Sequence, residues 1–244
     1  MKFHPSSRPP GFTLIETVIA IGVIAVLLTG FMMVFAPAAA GIRKSLNVQE
    51  IDRISSTLEQ EMVTLPTDSS TYPTGFAKAF AWIKESNTLN TALLVYQYRG
   101  SLSSTRPDGT PTPVPNIKGK LPGKDYVVQS MVRRKSDTKF VNEDLPAVEG
   151  GVYLVKCTQL VFKNGQLILG TAGTIADPKG VAGTAASSDD YPEAVIAFSA
   201  DFFALPSKAA SYFGSGGGFS KTFTATANTA VKKPVFTRNL AVRR

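Results

Sequence analysis

Few side chains in this 244-residue chain could do chemistry. There is one histidine, His4, and one cysteine, Cys157. A single thiol excludes an internal disulfide framework and a Cys-rich zinc site. His4 falls in a short polar head, Met1 to Pro10, that is expected to be removed. Without it the chain has no imidazole for Ser-His-Asp or Cys-His catalysis, for zinc, or for proton transfer near neutral pH. No phosphate-binding loop, GxSxG elbow, HExxH or EF-hand spacing is present. Cys157 lies inside a strand-like run and reads as a small buried hydrophobe. Asp177, Asp189 and Asp190 lie in a glycine-rich stretch, and their carboxylates are the oxygen type that calcium takes. They lack a recognised ligand spacing, so solvated loop acids are the ordinary reading and no metal site is expected. Catalytic residues and cofactors are likewise not expected.

Basic residues cluster at Lys118, Lys120 and Lys124, at Arg133, Arg134 and Lys135, and at Arg243 and Arg244. A basic groove would attract phosphates. The net charge is only +8, however. Loss of Lys2 and Arg8 with residues 1–11 leaves 24 basic against 18 acidic residues, or +6. Charges spaced along strands form a solvated face, and nucleic-acid binding is not expected.

One carboxylate remains in an unusual place. Glu16 precedes a run, Thr17 to Ile42, without Asp, Glu, Lys or Arg. As an α-helix that run is about 39 Å long, enough to cross a hydrocarbon core of about 30 Å. The head before it carries Lys2 and Arg8 and no acid, so this end stays in the cytoplasm and the rest is exported. A secretory signal peptide would explain the small residues Ala36-Pro37-Ala38 and Ala38-Ala39-Ala40. Its apolar region, though, spans only about 7–15 residues. A plain signal anchor explains the length but not the residues around Gly11.

Those residues are Gly11-Phe12-Thr13-Leu14-Ile15-Glu16. With the basic leader and the long apolar run they resemble the N-terminal signal of type IV pilins and type II secretion pseudopilins. The resemblance covers Met1 to about Leu65, roughly a quarter of the chain. It implies that a prepilin peptidase cuts between Gly11 and Phe12 and methylates the new N-terminus on Phe12. Glu16 then becomes the fifth residue, where the family carries its glutamate. An ionised carboxylate carried to the bilayer centre costs on the order of 2.5–3.5 kcal/mol, so such residues are functional by default. Nothing from Thr17 to Ile42 offers Glu16 a cation. A neighbouring subunit's Phe12 ammonium would, and the pair would set the axial register between subunits. The alternative is a Glu16 solvated among headgroups. Pro37 lacks an amide proton and is expected to kink the helix or loosen one turn.

After Gly41 the pattern becomes amphipathic. Ile42, Leu46, Ile51, Ile54, Leu58, Met62 and Leu65 keep to one face, and Pro66 closes the helix. The remainder reads as β-rich. Strand candidates are Ala92–Arg99, Tyr126–Arg133, Val152–Thr158, Gln159–Leu169, Ala194–Phe203, Phe219–Ala227 and Pro234–Val242. Asn164-Gly165 marks a tight hairpin turn. Phe76–Glu85 reads as a short helix carrying Trp82. Ser101–Lys124, Gly170–Pro192 and Ser207–Gly218 read as irregular.

The expected fold class is therefore α+β: a long N-terminal helix packed on an antiparallel sheet. The expected divisions are a leader at 1–11, a membrane or filament-core helix at 12–42, an amphipathic helix at 43–66 and a periplasmic domain at 67–244. The resemblance implies a structural subunit, a minor pilin or pseudopilin, held in the bacterial inner membrane. Its partners would be prepilin peptidase, other pilin or pseudopilin subunits and an inner-membrane assembly platform. The rival from another class is a single-pass membrane-anchored periplasmic enzyme or ligand-binding domain, with an uncut N-terminus and a polar pocket.

Overall fold

The computed structural model describes residues 13–65, 71–115, 118–180, 183–228 and 231–244. The chain divides into two units, Met1–Gln49 and Glu50–Arg244.

Helix α1 runs from Leu14 to Val63. From Leu14 to Ala39 it is apolar on every side apart from Glu16, and each side chain described there is exposed. A helix apolar all round needs a non-aqueous or protein environment. In the second unit the same helix is one-sided. Ile54, Leu58 and Met62, at steps of four, are fully buried there. Helix α2, Gly75–Glu85, starts where the Thr74 hydroxyl accepts the Ala77 N–H at 3.1 Å. It buries Phe76, Ala79, Phe80, Trp82 and Ile83. At Gly75 a Cβ would come within 2.2 Å of the Val63 carbonyl oxygen, so the residue must be glycine for α2 to lie this close to the end of α1.

Among the described residues the sheet has seven antiparallel strands: β1 Leu93–Thr105, β2 Pro111–Pro113, β3 Val127–Arg134, β4 Val148–Lys163, β5 Gln166–Leu169, β6 Val195–Ala204 and β7 Phe236–Arg243. Its central order is β3-β1-β4-β6-β7. β2 pairs with the far end of β1, and β5 with the far end of β4. Side-chain parity assigns the faces. Leu93, Val95, Val155 and Cys157 join the α1 and α2 residues in one core. Leu94, Tyr96, Tyr98, Val152 and Leu154 join Phe140, Phe213, Phe219 and Phe223 in a second. The sheet is thus covered on both faces.

Three expectations need correction. Phe219–Ala227 is not a strand but helix α4, Gly218–Ala227. Phe219, Phe223 and Thr226 follow the helical period of four and three and face the sheet, a signal masked by the β-favouring Thr-Phe-Thr-Ala-Thr run. β7 pairs with β6. Ser101–Lys124 is not wholly irregular, because β1 continues to Thr105 and turns back into β2. A four-residue helix, α3 Ala210–Phe213, lies within the third irregular stretch. Pro66 lies outside the described residues.

Candidate functional site

The first candidate is the start of α1. Gly11 and Phe12 lie outside the described residues. Thr13 and Glu16 are within them, and they form a reciprocal cap. The Glu16 carboxylate accepts the Thr13 N–H at 2.9 Å and the Thr13 hydroxyl at 2.8 Å, while the Glu16 N–H donates to that hydroxyl oxygen at 3.3 Å. Each side chain satisfies a donor that the first helical turn leaves open. The sequence analysis missed Thr13, although the Thr-x-x-Glu spacing announces this motif. The cap holds the Glu16 carboxylate against Thr13 at the helix start.

From Leu14 to Ala39 the helix is long and apolar enough to span a bilayer. Glu16 is its one charged residue. Pro37 lies inside the helix, which continues through it to Val63. With no N–H, Pro37 offers nothing to the Met33 carbonyl one turn back.

The three candidate calcium ligands do not converge. Among the described residues no group of three or more His, Cys, Asp or Glu side chains could hold a metal. Asp177 accepts the Lys179 N–H at 2.9 Å, and Asp190 accepts the Ser187 N–H and hydroxyl at 3.1 and 2.8 Å. Asp189 accepts the Ser188 hydroxyl at 3.4 Å. Cys157 is fully buried, and burial pushes its thiol up to about 12. It is a packed core group, with almost no thiolate near neutral pH.

The basic clusters divide. Lys118, Lys120 and Lys124 are exposed. Arg133 is not part of a solvated face: it is buried in an ion network that the sequence analysis missed. At its centre is Asp144, fully buried. Asp144 accepts Arg133 Nε at 2.7 Å, Arg106 at 2.7 Å and the Tyr96 hydroxyl. Arg133 reaches on to Asp137 at 2.8 Å and Asp108 at 3.4 Å, and Arg106 to Glu143 at 3.0 Å. Burial, the largest single influence, opposes the Asp108 charge, but hydrogen bonds from the Thr110 hydroxyl and N–H work against it. With the Arg106 and Lys139 charges they hold its carboxyl at about 2. Burial and the Asp144 charge raise the Tyr96 phenol well above its usual range. Each charge has its partner, and the network ties the β1–β2 turn to the segment before β4. Its acids lie 36 residues apart along the chain, from Asp108 to Asp144, so no local spacing reveals it.

A family model described as the prokaryotic N-terminal methylation motif matches residues 7–32. No curated protein and no solved structure matches the chain. The match spans the Gly11-Phe12 step, the Thr13–Glu16 cap and most of the apolar stretch Leu14–Ala39. The chain thus carries a signal of the type IV pilin or pseudopilin type. The motif implies processing by prepilin peptidase and assembly with other pilins, and its family is structural rather than enzymatic. Among the described residues one helix is long and apolar enough to span a membrane, and with such a signal it fits anchoring in the inner membrane.

Proposed function

We propose that this chain is a minor pilin or pseudopilin, a structural subunit of a type IV pilus or type II secretion filament. The peptidase removes residues 1–11 and methylates Phe12. The apolar part of α1 then holds the subunit in the inner membrane with its C-terminal unit in the periplasm. During assembly the helix leaves the bilayer and its lipid contacts are replaced by other subunits' helices. Glu16 finds its cation in a neighbour's Phe12 ammonium, in a setting where an unpaired charge would be costly.

One observation carries the reading. The methylation motif overlaps a helical stretch, Leu14–Ala39, that is apolar on all sides, is charged only at Glu16 and has every described side chain exposed. Such a helix requires an environment from outside, and lipid followed by other subunits supplies it. Shearing of filament-producing cells tests this. The processed chain should be recovered in the sheared, sedimenting filament fraction. Retention of all of it in the detergent-soluble membrane fraction of those cells would contradict the proposal.

A further inference from the structure

The second unit contains a cavity of about 290 Å³ lined by Tyr72, Lys78, Trp82, Arg133, Arg134 and Asp137, among others. That volume is at the small end of ligand pockets. Three cations and one acid stand among these six, so the lining favours an anion. Two of the cations are committed. Lys78 donates to the Glu61 carbonyl at 2.6 Å, the Thr64 carbonyl at 2.6 Å and the Glu61 carboxylate at 2.9 Å, which closes the C-terminal end of α1. Arg133 is held by Asp144, Asp137 and Asp108.

Arg134 differs. Its NH1 pairs with Glu85 at 2.9 Å, but Nε and NH2 are shielded from solvent and meet no hydrogen-bond acceptor. Those two nitrogens form one edge of the guanidinium, the edge that grips a carboxylate through two parallel bonds. A buried donor without an acceptor costs about 1–3 kcal/mol, and more on a charged group. The guanidinium carbon lies 5.6 Å from the Trp82 ring centre and 5.9 Å from that of Tyr72. The rings favour the cation from their faces but accept no strong hydrogen bond from the free edge.

We propose that Arg134, with the rings of Tyr72 and Trp82, forms a binding pocket for a small carboxylate carried on an apolar ring or chain. The carboxylate takes the Nε–NH2 edge and the apolar body lies against the aromatic walls. A modest shift of the guanidinium between its two rings brings that edge to the ligand. Only the weak ring contacts and one part-exposed ion pair oppose the shift. The site is built from second-unit residues and does not depend on the filament reading.

Trp82 is the sole tryptophan, so emission excited at the red edge of the absorption band, where tyrosine does not absorb, reports on this cavity. The full chain in a nonionic detergent is titrated at constant ionic strength with cyclohexanecarboxylate, acetate, cyclohexanol and inorganic phosphate. Cyclohexanecarboxylate should change the emission saturably, at a concentration about tenfold or more below acetate, with no saturation by cyclohexanol or phosphate. Arg134→Gln should abolish the response. Arg134→Lys keeps the charge but not the paired donors, and should weaken it about tenfold. Far-UV circular dichroism identifies a variant that has not folded, and the Lys variant then decides. Absence of saturation with cyclohexanecarboxylate, an undiminished response in both folded variants, or saturation by cyclohexanol or phosphate would overturn the proposal.

Discussion

Glu16 has two roles that substitution separates. In the isolated chain it closes the helix start by accepting from Thr13. In the proposed filament it supplies a charge. Glu16→Gln keeps an oxygen for the Thr13 N–H but removes the charge, whereas Glu16→Ala removes both. Both variants are expected to fail in filament assembly, while only the alanine variant loses amide-exchange protection at the first turn. Wild-type assembly of the Gln variant would show that the charge is not needed. Asp108 gives a second prediction at this scale, in the buried network. Its carboxyl titrates at about 2 in the fold against 3.8 ordinarily. The folded state therefore favours the charged form. The stability this adds is complete above 3.8 and is lost as pH falls toward about 2. Denaturant midpoints measured across that window should fall more steeply for the wild type than for Asp108→Asn. Equal slopes would mean that Asp108 contributes nothing there.

The corner between α1 and α2 depends on what a side chain would meet. At Gly75 a Cβ would overlap the Val63 carbonyl oxygen, which is backbone and has little room to yield. Gly75→Ala is expected to lower stability by about 1–3 kcal/mol, as overpacking does, read as a drop in denaturant midpoint with unchanged slope. An unchanged midpoint would mean that the corner opens freely. The elements legible in the sequence were those with local signals. Helix α2, read from sequence as Phe76–Glu85, begins one residue earlier at Gly75. The β4–β5 turn followed from Asn164-Gly165, whose φ values of 52° and 77° are those of the tight hairpin turn. Helix α4 was misread because β-branched propensity outweighed a helical period of only three anchors, Phe219, Phe223 and Thr226. The buried network was illegible for a different reason. Arg106, Arg133 and Asp144 meet only once β1, β3 and the segment before β4 are assembled. Single-sequence patterning carries no information on such distant pairs.

For the whole molecule, one chain joins two solvation regimes. The second unit buries its apolar residues in two cores, one on each face of a sheet. The first leaves side chains such as Leu14, Val26 and Met33 exposed within its own chain. The N-terminal signal resolves that contrast if it is read by a peptidase on the cytoplasmic side, because the helix is then delivered first to lipid and later to a filament. A secretory cut in the Ala36–Ala40 stretch would instead discard the apolar segment, and an uncut anchor would keep the leader. The three histories leave three different N-termini on the same protein. Mass spectrometry of the N-terminal peptide, from chain produced alongside a prepilin peptidase, distinguishes them directly. The account predicts a chain that begins at Phe12 and carries one added methyl group. A chain that still begins at Met1, or begins after Ala38 or Ala40, would contradict it.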